Sequence, residues 1–272
     1  MSARHKMMHR HCRLCCFWCV AGGILFAWVY ACWWASLVEA DEPTIRHDPT
    51  GRYEFRREHD PNGIGKFYMG REIARVMGYP AAAWLERPER EQEERTSQMV
   101  AALGVREGMS VADVGAGSGR ITVMLAAAVG DRGIVYAVDV QPQMLELIAD
   151  KVNRLQLKNV ELVLASAKSP KLKPQSIDLA LLVDVYHELE YPYEVMLELS
   201  RALKPGGRVV LVEFRREDPT VPIKLVHKMT EAQVKRELGL PEFGWKWKET
   251  LDILPWQHII VFERVLAEES KP

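Results

Sequence analysis

Two groups of residues in this 272-residue chain have types and spacing that could do chemistry. The first is the run Asp113-Val114-Gly115-Ala116-Gly117-Ser118-Gly119, which follows the apolar stretch 110–114 and precedes a helical pattern. A glycine turn between strand and helix turns backbone N–H groups and a helix N-terminus toward a ligand, as nucleotide sites require; a tight structural turn is the alternative. In the dinucleotide fingerprint G-x-G-x-x-G/A the last small residue permits close packing of helix on strand. Counted from Gly115, that place holds Arg120, and the glycine falls one residue early at Gly119. Asp139 ends the next strand, where a carboxylate accepts ribose hydroxyls. The second group is Asp184-Val185-Tyr186-His187-Glu188, closing the apolar run 177–185, with Glu213 at the end of 208–214. Histidine titrates near neutrality and can serve as a general base. His187 is therefore the first candidate base, against a capping or loop-orienting role, and Glu213 is a second base or acceptor-binding candidate.

Regular alternation must position these groups. Strands at 110–114, 133–140, 160–166, 177–185 and 208–214 alternate with helical patterns, which predicts a doubly wound, mostly parallel α/β sheet. The strands are continuous apolar runs, as when both faces are covered. A helix over 230–239 is followed by the strand-like runs GWKWKETLDIL and QHIIVFERV. Only Pro255-Trp256 separates them, too little for a crossover, so they pair antiparallel. Residues 41–65 read as a linker or wrapping arm. Residues 67–103 read as helical, with REIARVMGY as a short helix and WLERPEREQEERTSQMVAAL as a longer one whose charged run 86–95 is a solvated face.

The beginning of the chain has another character. Residues 14–38 contain no charge, with Arg4, Lys6, Arg10 and Arg13 before them and Glu39, Asp41 and Glu42 after. The length is near the ~20 residues that span a bilayer. Residues 1–40 are expected to be a cleaved signal peptide or an uncleaved membrane anchor, either of which places the rest outside the cytoplasm, in the periplasm or beyond. All five cysteines (Cys12, Cys15, Cys16, Cys19, Cys32) fall here, so the remainder has neither disulfide nor thiol chemistry, and an apolar segment is a poor setting for thiolate ligands. Net charge is −1, against nucleic acid as a partner. No His/Asp/Glu grouping shows metal-ligand spacing along the chain, and no metal is expected.

DVGAGSG (113–119), AVDV (137–140), IDLALLVDVYHE (177–188) and LKPGGRVVLVEF (203–214) together resemble the class I S-adenosylmethionine-dependent methyltransferases, loosely their ubiquinone and menaquinone biosynthesis branch. The resemblance spans about 97–265 and implies a Rossmann-like seven-stranded sheet ending in a reversed hairpin. It divides the chain into 1–40, an arm 41–96 and a methyltransferase domain 97–268. S-adenosylmethionine is the implied cofactor. Gly115, Ala116, Gly117 and Gly119 would lie along its methionine and ribose part, with Asp113 holding the loop and the amino group. Asp139 would take the ribose hydroxyls, Val140 and Met144 would flank adenine, Ser166-Ala167 stand where many members carry an acidic residue, and Asp184 would meet the methionine end. The acceptor is expected to be a small, partly apolar molecule, with Tyr68, Tyr186, Trp245 and Trp247 as a candidate aromatic wall. A nicotinamide-dependent oxidoreductase and a non-catalytic, membrane-tethered binding module are the alternatives. S-adenosylmethionine is made in the cytoplasm, which stands against an external domain and keeps a cytoplasmic placement open.

Overall fold

Seven strands form one sheet, whose central apolar runs, Val111–Val114, Leu179–Leu182 and Val209–Phe214, are covered on both faces. The computed structural model describes residues 45–265. In order along the chain, the sheet strands are β5 (Ser110–Val114), β6 (Ile134–Asp139), β7 (Val160–Leu164), β8 (Ile177–Val183), β9 (Leu203–Phe214), β10 (Trp245–Leu251) and β11 (Gln257–Arg264), preceded by β1 to β4 described below. Their spatial order is β10-β11-β9-β8-β5-β6-β7. β5 pairs in parallel with both β6 and β8, so the winding reverses at β5. β11 runs antiparallel between β9 and β10, as the short link at Pro255-Trp256 requires. The expected doubly wound sheet with a reversed C-terminal pair is therefore the observed one.

The helices are α1 (Ala82–Leu85), α2 (Arg90–Glu94), α3 (Thr96–Ala102), α4 (Arg120–Val129), α5 (Pro142–Arg154), α6 (Pro192–Ala202) and α7 (Glu231–Leu238). One core joins α3 and α4 to the sheet through Met99, Leu103, Ile121, Leu125 and Val129. The other joins α6 and α7 through Val195, Met196, Leu199, Val234 and Leu238.

The arm before residue 103 differs from its sequence reading. Residues 45–74 are neither linker nor helix. They form a four-stranded antiparallel sheet of β1 (Ile45–His47), β2 (Tyr53–Arg56), β3 (Gly63–Tyr68) and β4 (Arg71–Ala74). The piece read as a helix, REIARVMGY, contributes β4, because Met69 (φ 48°) and Gly70 (φ 83°) turn the chain back on Tyr68. Two consecutive left-handed residues make the tight hairpin turn that matches strand twist. The longer helix is broken into α1, α2 and α3. Pro88 lacks the donor a helix interior needs, and Arg95 sits at φ 50°. Nor is 86–95 wholly solvated. Arg90 and Glu94 are buried and paired at 2.8 Å, while Arg87 reaches Glu94 at 2.6 Å. Among the described residues no helix is long and apolar enough to cross a membrane; residues 14–38 lie outside them.

Candidate functional site

A cavity of about 640 Å³ opens at the carboxyl ends of β5, β6 and β8, where the strand order reverses. Open α/β sheets bind ligands at that place. Its floor is Gly115, Gly117 and Asp139; one end is Val140, Met144, Ser166 and Ala167, and the other is Asp184, His187, Phe214 and Ile223. The broken arm supplies a wall through Met77, Trp84 and Leu85, which the sequence reading had not placed at the site. Gln141 fastens that wall by accepting from Tyr79 N at 2.9 Å and donating to Met77 O at 2.9 Å.

The glycines have separate jobs. Gly115 (φ 73°) could carry no side chain, since a Cβ would lie 2.5 Å from Val185 Cγ2. Gly117 N donates to Asp139 Oδ2 at 2.9 Å, and Gln141 N donates to Oδ1 at 2.8 Å. Each Asp139 oxygen thus keeps a lone pair for a hydroxyl. Burial raises the Asp139 pKa, opposed by these backbone donors. Gly119 does not line the cavity. It begins α4 at φ 78° and lets the loop pack on Ile148, 2.9 Å from where a Cβ would sit. Ala116 is also turned away, against Ala137, Leu145 and Ile148.

Asp113 stands behind the loop rather than in the cavity and accepts from Thr122 Oγ1 at 2.6 Å. Burial pushes its carboxyl up to about 6 despite that bond. A folded-state pKa above the unfolded value means the group favours folding most below about pH 4, and that contribution is lost as pH rises through 6. Asp113→Asn keeps the acceptor for Thr122 and removes the charge. It is expected to be more stable than the wild type by roughly 2–3 kcal/mol at pH 8, with the gap closing toward pH 4. Urea unfolding across that range measures it, and a pH-independent gap would refute the assignment.

The far end of the cavity is built on a strained turn. Asp184 holds φ 55°, unusual without glycine, and directs the chain into the 3₁₀ turn Tyr186–Glu188. Asp184 Oδ2 accepts from Gln257 at 3.0 Å, while its buried Oδ1 has no partner. Burial, then the nearby Glu94 and Glu213 carboxylates, push Asp184 well above the ordinary carboxylate range. A cationic ligand group would relieve that environment. His187 is buried at 2% exposure on the cavity wall, its Nδ1 2.5 Å from Glu213 Oε2 and its Nε2 3.1 Å from His227 Nδ1. Burial lowers the His187 pKa, but the Glu213 charge and hydrogen bond outweigh it and the net shift is upward.

Glu213 is not a second base facing the acceptor. It is fully buried, accepts Tyr186 N on its other oxygen at 2.9 Å, and has no surface on the cavity. It positions His187. The aromatic wall does not form either. Tyr68 and Trp245 are in the core, Tyr186 bonds Glu237 at 2.8 Å, and Trp247 lies outside over Lys235. Trp84 and Phe214 line the cavity instead. Sequence reading also missed Arg71, whose partners lie more than a hundred residues away. Its guanidinium grips both oxygens of Glu237 at 2.9 Å and donates to His187 O at 3.2 Å. The N-terminal sheet thereby holds the backbone of the histidine.

An unpaired Asp184 oxygen at one end, a glycine cradle that a Cβ would fill, and paired acceptors on Asp139 suit a cationic amino acid joined to a nucleoside. Comparison with known proteins agrees. Residues 112–211 match the family described as a methyltransferase domain. A demethylmenaquinone methyltransferase of Staphylococcus aureus is 34% identical over 169 residues, covering 62% of this chain and 67% of that protein. An uncharacterised methyltransferase-like protein of Schizosaccharomyces pombe is 33% identical over 140 residues, and there the match spans 51% of this chain and 50% of the relative. The chain likewise spans only about half, 47%, of the Bacillus mycoides demethylmenaquinone methyltransferase it matches. In three dimensions it is similar to an S-adenosylmethionine-dependent methyltransferase from Aquifex aeolicus, with TM-score 0.65 and 26% identity over 70% of this chain and all of that one. The strand order, the glycine cradle and these relatives together make the chain a member of the class I S-adenosylmethionine-dependent methyltransferases, with S-adenosylmethionine as its cofactor.

Proposed function

We propose that this protein methylates a small, partly apolar acceptor bearing a weakly acidic hydroxyl, of the reduced quinone kind, with His187 as the base. One observation carries the reading: a histidine backed by a buried carboxylate at 2.5 Å opens onto the cavity that holds Gly115 and Asp139. S-adenosylmethionine supplies a methyl group on an electrophilic sulfonium. Its ribose would rest on Asp139, its adenine between Val140 and Met144 beside Ser166 and Ala167, and its charged methionine end near Asp184. Glu213 accepts the Nδ1–H of His187, which leaves the lone pair on Nε2, now 3.1 Å from His227 Nδ1 at the cavity wall, to be taken by an acceptor hydroxyl in place of His227. Removing the proton of a ring hydroxyl makes that oxygen or the adjacent ring carbon nucleophilic. Nε2 takes the proton, and Glu213 and Glu188 balance the imidazolium charge. Phe214, Pro222, Ile223 and Val195 give this end an apolar wall. The relatives named as demethylmenaquinone methyltransferases support a ring of the quinone class as acceptor.

The test is transfer of labelled methyl from S-adenosylmethionine to a naphthohydroquinone with a short prenyl tail and to its oxidised quinone. Label is expected in the reduced compound alone, because only it has the proton to give up. Transfer to neither would overturn the acceptor class. Asp139→Ala is expected to weaken S-adenosylmethionine binding by roughly 1.5–3 kcal/mol, the range for hydrogen bonds to a charged group, read by calorimetry. Unchanged affinity would remove the ribose assignment. For location we propose that residues 14–38 enter the membrane and residues 41 onward lie outside the cytoplasm. An alkaline phosphatase fusion after residue 272 would be active in that topology and inactive in the opposite one.

A further inference from the structure

The geometry points to a second ligand at the acceptor end: a divalent cation of the zinc type, held by His187 Nε2, His227 Nδ1 and a carboxylate oxygen of Glu188. The donor atoms form a triangle with sides of 3.1 Å between the two histidine nitrogens, 3.5 Å from His227 Nδ1 to Glu188 Oε1, and 3.9 Å from His187 Nε2 to the same oxygen. Zinc bonds of ~2.0–2.2 Å in a tetrahedron set donor atoms roughly 3.4 Å apart. The triangle needs only small side-chain adjustments to become one face of that tetrahedron. The rings meet at 83° with centroids 5.1 Å apart, so the nitrogens converge rather than stack.

Two further observations favour a cation. A ligating histidine usually donates its other ring N–H to a carboxylate, which fixes the tautomer and strengthens the ligand. His187 already has that arrangement through Glu213. Glu188 and Glu213 also bring two negative charges to match a divalent ion, while Lys224 on the same wall is turned to Asn62 Oδ1 at 2.6 Å. All three ligands bound the cavity, so the fourth position is left to water, unlike the closed four-ligand set of a structural zinc centre. Spacing along the chain concealed the site, because His227 comes from the 3₁₀ turn Leu225–His227, forty residues after His187.

Binding stands apart from the methyl-transfer reading, but its consequence rests on that reading. The Nε2 lone pair that takes the acceptor's proton is the one that binds the cation. Occupancy and base action exclude each other, and zinc inhibits transfer until a chelator removes it.

The metal-stripped full chain is titrated with Co²⁺, a visible-absorbing stand-in for zinc, beside His227→Ala and Glu188→Gln, with circular dichroism to confirm folding. The N-terminal cysteines bind equally in all three proteins and cancel in the difference. The wild type is expected to take up one Co²⁺ more than either variant, in a band without thiolate charge transfer that Zn²⁺ displaces. Glu213→Gln should keep that equivalent with roughly 10–100-fold weaker affinity. Equal uptake by the wild type and both variants overturns the site. Specific uptake with Zn²⁺ inhibition supports both the site and the base. Specific uptake without inhibition supports the site and counts against His187 as the base.

Discussion

Replacing His187 with alanine is expected to lower the rate of methyl transfer by about 10²–10⁴-fold, the usual contribution of a positioned general base. S-adenosylmethionine affinity should stay close to the wild type, because the proposed ribose and loop contacts are assigned to Asp139, Gly115 and Gly117 and not to His187. Calorimetry and single-turnover transfer separate the two quantities. Glu213→Gln is the companion variant. The glutamine has one acceptor oxygen where Glu213 has two, so with that oxygen on Tyr186 N its amide N–H faces Nδ1. It also lacks the charge that stabilises an imidazolium; kcat falls while acceptor KM holds. A His187→Ala enzyme with undiminished single-turnover rate would end the base assignment. The histidine would then have no part in removing the proton.

Arg71→Ala is expected to cost about 3–5 kcal/mol of folding stability, the penalty for leaving one partner of a buried ion pair alone. Glu237 is fully buried, and its two oxygens are taken by Arg71, with Tyr186 and Gln233 as further donors. Without the guanidinium, a carboxylate is left in the core beneath His187. Such a loss is a large part of the ~5–15 kcal/mol that holds an ordinary domain together. Urea unfolding gives the number directly. Arg71→Lys, which retains charge but not the two-pronged geometry, should fall between the wild type and alanine. A loss under about 1 kcal/mol would show that the pair is not structural. Because Arg71 also donates to His187 O, the alanine variant should transfer methyl groups more slowly even where it remains folded.

Much of the cofactor half was legible in the sequence. A strand, a glycine turn and a helix are contiguous, so Gly115, Gly117 and Asp139 could be placed by counting. The end of the cavity at His187 joins residues distant along the chain. Arg71, Glu237 and Tyr186 meet across 166 positions, and His227 reaches His187 across forty. No local pattern marks such partners, since each is chosen by which buried charge or ring nitrogen it satisfies. Glu213 shows the same limit from the other side. Its place at a strand end was evident, but whether its carboxylate faces the cavity or the back of His187 depends on the packing of the turn Tyr186–Glu188.

By itself the chain determined the doubly wound sheet, the reversed final pair and the position of the nucleotide loop. Those follow from the period of apolar residues and from short links that permit few connections. Only the tertiary structure decided that residues 45–74 are a sheet rather than an arm, that α1 to α3 break to make a cavity wall, and that a histidine, a glutamate and a second histidine converge at one end of it. A run as short as REIARVMGY carries too little periodicity to choose helix or strand. The choice falls to the pairing of β4 with β3 and to the burial of Arg71 on Glu237.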